Sequence, residues 1–332
     1  MVSKRMFRIA LLVLLAVFLS PVSAQGLKKV GQSGMKWLSI PIGARGTAVT
    51  AYTALASDAN AVFWNPAGTA FSQGGHLALN QTQWIADITV NAAAATYEVA
   101  GIGVFGVSFA VVDWGTLNGT RRADNDQGYE ETGTFSPENW GMGLSYARRL
   151  SDRFAVGGHV KYLYEQLGSN LVGDFDDART YSADLNVVAF DIGTIYYTGY
   201  KDLRLAMTLQ NFSQEKRYRQ EYFPLPLTFK FGAAMGVNQF FMDESDHTLT
   251  FAAEAQHLRD YSERLHFGLE YDFRQLVFLR GGYKANYDQE DLTLGAGLKY
   301  ATTGGLGLAL DYSYVSFENF DAVHMFSFDF LF

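Results

Sequence analysis

The chain has 332 residues, a formal net charge of −8 and no cysteine, which excludes disulfides, thiolate metal sites and a lipid anchor on cysteine. An acidic chain without a basic cluster is also a poor partner for nucleic acid. Tyrosine (19), phenylalanine (26) and glycine (33) are abundant, as expected for a membrane β-barrel with aromatic girdles and close strand contacts.

A cleaved signal peptide is predicted at residues 1–24. A positive amino-terminal region precedes an apolar run from Ile9 to Leu19, and Val22-Ser23-Ala24 supplies small residues for cleavage. A membrane anchor would need about 20 apolar residues. Cleavage removes three positive charges and changes the net charge from −8 to −11. No second apolar run is long enough for a membrane helix, so the exported chain is either soluble or a barrel.

Residues 25–75 lack an alternating pattern and are predicted to form a plug inside the barrel. Small side chains dominate this stretch, which contains Asp58 and ends near Asn65-Pro66-Ala67-Gly68. The proline disfavours helical backbone at Asn65, and Gly68 can adopt a left-handed turn. A periplasmic tail packed across the barrel mouth is the alternative interpretation.

Residues 76–332 are predicted to form an all-β, transmembrane antiparallel β-barrel of about 14 strands. The late strands alternate apolar and polar residues clearly, whereas the early ones are rich in alanine and glycine. The predicted spans are 76–85, 88–99, 102–112, 138–148, 153–165, 182–198, 202–211, 227–237, 247–257, 264–273, 275–285, 290–300, 304–315 and 322–332.

The final strand carries a row of phenyl rings on one face. Phe326, Phe328, Phe330 and Phe332 recur at every second position, with Ser327 and other polar residues between them. A strand directs alternate side chains to opposite faces, so this row is expected to face lipid and the polar row the lumen. A terminal phenylalanine on such a strand resembles the C-terminal signal of outer-membrane barrels, here Phe328, Phe330 and Phe332.

The connections support the barrel prediction. If both ends of the mature chain lie in the periplasm, long outer loops should alternate with short inner turns. The long connections 113–137, 166–181 and 212–226 all follow odd-numbered strands, and only 238–246, after an even-numbered strand, is longer than expected. A soluble sandwich has no reason to obey this parity. The third connection contains a cationic and aromatic cluster typical of interfaces or of contacts with lipopolysaccharide phosphates: Lys216, Arg217, Tyr218, Arg219, Tyr222 and Phe223.

Three motifs that suggest other chemistry are incomplete. Gly101 to Gly106 fits a dinucleotide-binding pattern, but the residues that follow lack a helical period. Asp124 to Gly128 resembles part of a calcium loop without its later ligands, so an acidic loop is the preferred interpretation. The six histidines show no metal spacing, and no Gly-x-Ser-x-Gly motif occurs. We therefore expect no enzyme activity, no cofactor and no metal site.

The N-terminal motifs resemble the signature of the PorV/PorQ family of FadL-like outer-membrane β-barrels. They are Gly43-Ala44-Arg45, Ala51-Tyr52-Thr53-Ala54, Asp58-Ala59 and Phe63-Trp64-Asn65-Pro66-Ala67-Gly68. Later matches include Arg280-Gly281-Gly282-Tyr283 and Asp311-Tyr312-Ser313-Tyr314. The sequence departs from the usual family pattern in two places: Ala48-Val49-Thr50 stands where Met-Gly-Gly is usual, and Thr69 where leucine is usual.

The resemblance implies a role with the type IX secretion system. In that system such barrels associate with the translocon, bind cargo proteins by the cargo's C-terminal signal domain and carry them to a surface attachment machine. FadL-like transport of hydrophobic small molecules is the alternative function. The expected location is the outer membrane of a Gram-negative bacterium. The expected partners are outer-membrane lipids and lipopolysaccharide, the barrel-assembly machinery, the type IX translocon and cargo signal domains.

Overall fold

The computed structural model describes residues 31–172, 179–218, 220–238, 246–302 and 305–332, without the side chains of 169–172 and 179–182. The predicted signal peptide and Arg219 therefore lie outside the described residues. Within these ranges, no helix combines the length and apolar character needed to cross a bilayer.

The strands form one closed antiparallel barrel of 14 strands, as predicted, and its first strand, Gly75–Gln83, pairs with its last, Val323–Leu331, to close it. The strand boundaries lie within three residues of the predicted ones, except that the fifth barrel strand ends at Val172, seven residues beyond its predicted end at 165. The barrel strands are β1 (Gly75–Gln83), β2 (Thr89–Val99), β3 (Gly103–Asp113), β6 (Glu138–Ser151), β7 (Phe154–Val172), β8 (Arg179–Tyr197), β9 (Arg204–Ser213), β12 (Thr228–Gly236), β13 (His247–Leu258), β14 (Arg264–Phe273), β15 (Val277–Ala285), β16 (Glu290–Ala301), β17 (Gly307–Phe317) and β18 (Val323–Leu331).

Two of the long connections contain hairpins that the sequence did not predict. Strands β4 (Leu117–Arg122) and β5 (Tyr129–Phe135) pair within the first, and β10 (Lys216–Arg217) and β11 (Tyr222–Phe223) pair within another. Both hairpins lie at the same end of the barrel, which we call the outer end. The opposite, inner end contains the start of β1 and the end of β18.

The two faces of the wall differ as the alternation predicted. On β17, Leu308 and Leu310 are 44% and 40% exposed on the outside, whereas Asp311 is 6% exposed and faces the lumen. On β18, Phe328 and Phe330 face outward, and the intervening Asp329 is buried. An apolar outer face and a polar inner face are the arrangement required of a barrel surrounded by lipid.

The N-terminal segment, defined here as residues 31–74, lies inside the barrel and runs from its outer end to its inner end. Gly34 N–H donates to the Pro224 carbonyl (3.0 Å) at the outer end, and Gly75 enters β1 at the inner end. The predicted mature N-terminus, Gln25, lies outside the described residues, whereas residues 33–36 lie at the outer end. The chain then descends through the lumen before the first strand.

Cysteine labelling provides a test of this topology, because the native chain contains no cysteine. Asp126→Cys, in the turn between β4 and β5, is expected to react with a membrane-impermeant maleimide on intact cells. Asp152→Cys, in the turn between β6 and β7, is expected to react only after the outer membrane is permeabilised. Labelling of Asp152→Cys on intact cells, with Asp126→Cys unreactive, would show that the outer and inner ends are assigned the wrong way round.

Candidate functional site in the barrel lumen

The N-terminal segment folds into four short helices that follow the barrel wall. They are the 3₁₀-helices Lys36–Ser39 and Pro66–Phe71 and the α-helices Ala44–Val49 and Ala61–Trp64. The helix Ala44–Val49 packs against β14 to β18, and Pro66–Phe71 packs against β3 and β6 to β8. The segment therefore contacts nearly opposite sides of the lumen.

Asn65 joins this segment to the wall through its side chain. Its Nδ2 donates to the carbonyls of Thr53 (3.0 Å) and Thr194 (3.2 Å), and its Oδ1 accepts from Ala67 N–H (3.1 Å). Its backbone is extended (φ −147°, ψ 101°), as expected before Pro66, which begins the 3₁₀-helix. Asn65 thus caps the helix and links two separate parts of the chain.

Glycines on the wall create the space that this motif occupies. A Cβ at Gly193 would lie 1.9 Å from Asn65 Oδ1, and a Cβ at Gly157 would lie 2.5 Å from Ala67 N. The left-handed turn expected at Gly68 is not present, because its φ angle is not positive. Gly68 is instead required by close approach, since a Cβ there would lie 2.3 Å from the Ala56 carbonyl oxygen.

A buried network of charges ties the segment to the opposite wall. Arg45 donates twice to the Glu270 carboxylate, with both distances 2.9 Å, and also contacts Asp58 at 3.3 Å. Arg280 joins the same carboxylate at 2.7 Å and donates to Asp311 at 2.5 Å. Each buried charge has an opposite partner, as burial requires. Arg45 therefore links the segment to β14.

Tyr52 extends this network within the N-terminal segment. Its hydroxyl donates to Asp58 (2.5 Å), and its ring lies 5.4 Å from the Arg45 guanidinium. Burial, reinforced by the negative charge of Asp58, holds the pKa of the Tyr52 hydroxyl well above its ordinary value. The phenol therefore remains a hydrogen-bond donor at neutral pH, and Asp58 stays oriented towards Arg45.

A cavity of about 540 Å³ remains between the segment and the wall, towards the outer end. Its lining contains both large apolar residues and charged residues. The apolar residues include Trp37, Ile40, Ile42, Trp84, Ile88 and Trp114, and the cationic residues are Lys36, Lys161, Lys230, Arg264 and Lys284.

Three further residues of this cavity form a connected row across neighbouring strands. Ser108 Oγ on β3 lies 2.8 Å from His159 Nε2 on β7, and His159 Nδ1 lies 3.2 Å from Asp191 Oδ2 on β8. The other Asp191 oxygen accepts from Asn211 N–H (2.8 Å) and pairs with Lys161 (2.9 Å). His159 and Asp191 are each only 2% exposed, so this arrangement is held within the wall.

This row was not predicted from the sequence, because its members belong to no local motif. Ser108 precedes His159 by 51 residues, and His159 precedes Asp191 by 32. The sequence does show that all three residues occupy lumen-facing positions on strands predicted to be close neighbours. Whether the three side chains lie at the same level along the barrel axis depends on the register of strand pairing, and the alternation of residues does not determine that register.

The predicted partner cluster on the outer connection separates into two groups. Tyr218 stacks on Phe223 with ring centroids 5.2 Å apart, and its hydroxyl donates to Glu165 on the wall. Burial, then the neighbouring Glu165, raises the pKa of Tyr218. Arg217 and Tyr222 are exposed, with the guanidinium 5.1 Å from the ring, and Lys216 lies beside them, half-buried. Tyr218 and Phe223 thus pack inward.

Potential metal ligands are dispersed in the part of the chain that the structure describes. No group of three or more histidine, aspartate or glutamate side chains there is arranged to hold a metal ion. Asp124 and Asp126 lie in the exposed turn between β4 and β5. Residues 103–113 form the strand β3, so the glycine pattern that precedes and overlaps it is not followed by the helix that dinucleotide binding requires.

Comparisons with known proteins agree with this architecture. A family model described as the type IX secretion system protein PorV matches residues 23–259. No curated protein sequence matches this chain. Among solved structures, the chain is similar to the CymD monoaromatic hydrocarbon channel, with a TM-score of 0.55 and 12% identity over 87% of this chain and 97% of that one.

Two other solved structures have the same fold. The Pseudomonas putida toluene transporter TodX gives a TM-score of 0.53 and 11% identity, covering 93% of this chain and 98% of that one. A Pseudomonas aeruginosa FadL homologue gives a TM-score of 0.53 and 12% identity, covering 88% and 98% respectively. These similarities confirm the predicted FadL-like outer-membrane barrel fold.

Proposed function

The chain belongs to the PorV family of type IX secretion system proteins, and from this premise we propose that it binds secreted cargo proteins and carries them for that system. The function rests on surfaces at the outer end of the barrel rather than on passage through it. FadL-like transport of hydrophobic small molecules is the second candidate function.

The observation that carries this proposal is the occupied lumen. The N-terminal segment contacts nearly opposite sides of the wall, and Asn65 and Arg45 attach it to β8 and β14. Close contacts at Gly157 and Gly193 leave no room between the segment and these strands. We propose that residues 25–75 act as a plug, so that solutes do not cross while the segment is in place.

The outer hairpin β10–β11 offers a surface for protein binding. Arg217 and Tyr222 are exposed side by side, a combination common at interface hot spots. Tyr218 and Phe223 hold the base of this hairpin against the wall and the N-terminal segment. The hairpin is therefore a supported surface, on which Lys216, Arg217 and Tyr222 are the proposed contacts with cargo or with lipopolysaccharide phosphates.

The transport candidate is favoured by one feature, the cavity beside the N-terminal segment. Its large apolar lining residues, among them Trp37, Trp84 and Trp114, are suited to a hydrophobic molecule. Passage from this cavity to the inner end would require the segment to move away from β7 and β8. Such movement would break the Asn65 hydrogen bonds and the Arg45 ion pair.

Cargo retention tests the choice between the two functions. Deletion of the gene in its own host is expected to leave proteins with type IX C-terminal signals unsecreted, while uptake of an apolar compound stays normal. Restoration with the double variant Arg217→Ala/Tyr222→Ala is expected to give normal barrel levels but several-fold weaker co-purification of cargo. The measurement is immunoblotting of secreted and outer-membrane fractions.

The matched control is Tyr200→Ala/Lys201→Ala, which removes an exposed aromatic residue and a cation from the inner end. This variant is expected to bind cargo as the native protein does. Normal secretion in the deletion strain, with uptake of an apolar compound lost, would instead establish the transport function.

The route to the membrane is part of the same proposal. We propose that residues 1–24 direct export and are then removed, and that the barrel-assembly machinery recognises the terminal row Phe328, Phe330 and Phe332. The outward direction of Phe328 and Phe330 leaves their rings available to lipid and to that machinery.

A further inference from the structure

We propose that Ser108, His159 and Asp191 form a nucleophile, base and positioning carboxylate that hydrolyse an acyl ester bound in the lumen cavity. The hydrogen bonds connect in the order that nucleophilic catalysis requires, from Ser108 Oγ to His159 Nε2 (2.8 Å) and from His159 Nδ1 to Asp191 Oδ2 (3.2 Å). This inference goes beyond the proposed secretion function and departs from the sequence-based expectation of no enzyme activity.

The tautomer of His159 follows from its two partners. Asp191 is acceptor-only when ionised, so His159 Nδ1–H donates to it and Nε2 is left to accept the Ser108 hydroxyl proton. Backbone N–H of Asn211 and the Lys161 ammonium hold the other Asp191 oxygen. Asp191 is therefore fixed in position and ionised, as a group that orients a catalytic histidine must be.

The absence of a side chain at Gly143 allows the hydrogen bond between Ser108 and His159 to form. The barrel order is β3, β6, β7 and β8, so strand β6 lies between Ser108 and His159. A Cβ at Gly143 would lie 2.2 Å from His159 Nε2 and 2.9 Å from Ser108 Oγ. The glycine leaves open the path that the hydrogen bond between the two side chains occupies.

A purely structural network does not require all of these groups. Lys161 already compensates the charge of Asp191 at 2.9 Å, and Asn211 supplies a further hydrogen bond. Ser108 is partly buried and lines the cavity, next to the space that a bound molecule would occupy. The nucleophile therefore borders the cavity, while the histidine and aspartate that serve it are enclosed.

The reaction needs water as its only second reactant. Ser108 Oγ attacks the acyl carbon while its proton passes to His159 Nε2, and the tetrahedral intermediate collapses as the leaving alcohol takes that proton. Water then attacks the acyl-serine, gives a proton to Nε2 and releases the carboxylic acid. Ser108 recovers its proton from His159, and no oxidant or reductant is consumed.

The cavity lining indicates the class of ester. Six large apolar residues of the lining suit an acyl chain: Trp37, Ile40, Ile42, Trp84, Ile88 and Trp114. Four of the five cationic side chains of the lining pair with a carboxylate: Lys36 with Asp260, Lys161 with Asp191, Lys230 with Glu254 and Lys284 with Glu290. Their charges are therefore largely compensated, and the apolar residues decide the class of substrate. That class is an ester with an apolar acyl chain.

The test uses the purified full-length protein in detergent with diisopropyl fluorophosphate, a probe small enough to enter the cavity. Mass spectrometry is expected to find the phosphoryl adduct on Ser108 and none in Ser108→Ala. Hydrolysis of p-nitrophenyl butyrate is expected to fall by about 10²–10⁴-fold in His159→Gln. Gly143→Ala is expected to lose the adduct while retaining the heat-dependent gel mobility of a folded barrel.

Ser145→Ala is the matched control, because Ser145 is a buried lumen-facing serine on β6 that does not line the cavity. It is expected to react as the native protein does. Absence of an adduct on Ser108, or equal hydrolysis by Ser108→Ala and the native protein, would overturn the proposal and leave a structural hydrogen-bond network. Ser108→Ala is expected to restore cargo secretion in the deletion strain, so failure of this inference is distinguishable from failure of the secretion function.

Discussion

Arg280→Met is expected to lower the free energy of unfolding of the barrel by about 3–5 kcal/mol, because it removes one partner from a buried network of charges. Glu270 would keep its two hydrogen bonds from Arg45, whereas Asp311 would lose the cation that compensates it. Burial of an uncompensated carboxylate is the main source of the loss. Urea titration of the refolded protein in lipid vesicles, followed by tryptophan fluorescence, measures the change.

Two variants separate this effect from the loss of a large side chain. Arg274→Met removes an exposed ion pair with Asp246 (2.7 Å) and is expected to cost less than about 1 kcal/mol. Arg280→Met combined with Asp311→Leu removes the buried cation together with its anion and is expected to recover most of the stability. Equal losses for Arg280→Met and Arg274→Met would show that the network contributes no more than a surface pair.

Phe328→Lys is expected to destabilise the barrel by about 2–4 kcal/mol, because it places a cation on the lipid-facing side near the middle of the membrane. Phe328 is 46% exposed on the outside of β18, where it pairs with Leu79 of β1 and Leu310 of β17. Its surroundings on both sides are apolar, so the ammonium finds no nearby partner. The same urea titration reports the change.

Phe320→Lys supplies the control for this substitution. Phe320 is similarly exposed (51%) but lies in the connection between β17 and β18 at the outer end. A lysine near the membrane surface is expected to cost about 0–1 kcal/mol. Asp329→Asn is also expected to cost little, because its side chain faces the polar lumen. A penalty for Phe320→Lys or Asp329→Asn equal to that for Phe328→Lys would mean that the two faces are assigned wrongly.

Alternation along each strand was enough to predict the barrel. A period of two places Leu308 and Leu310 on one face and Asp311 on the other in any antiparallel barrel, whatever strands lie beside them. The lumen contacts depend on more than that period. Arg45 meets Glu270 through a register and a path across the lumen that no local pattern encodes. The ion pairs and the row Ser108–His159–Asp191 were for this reason missed.

In the motif Asn65-Pro66-Ala67-Gly68, one feature depends on neighbouring residues and another on a contact that only the fold creates. The effect of Pro66 on Asn65 is local, so the extended backbone at Asn65 was predictable from the sequence. The role of Gly68 depends on Ala56, which the fold brings within reach of it. A glycine was therefore recognised as special, but for the wrong physical reason.

The path of the N-terminal segment has a consequence for the order of folding. The seam between β1 and β18 is completed by Gly75 N–H donating to the Phe332 carbonyl (2.7 Å) and Phe332 N–H donating to Gly75 (2.9 Å). Passing a segment that carries Trp37, Phe63 and Trp64 through a closed ring is sterically harder than packing it against an open sheet. We therefore expect the segment to pack against the curved, still open sheet before Phe332 pairs with Gly75. Substitutions that delay the segment would leave both edge strands open to association with other chains.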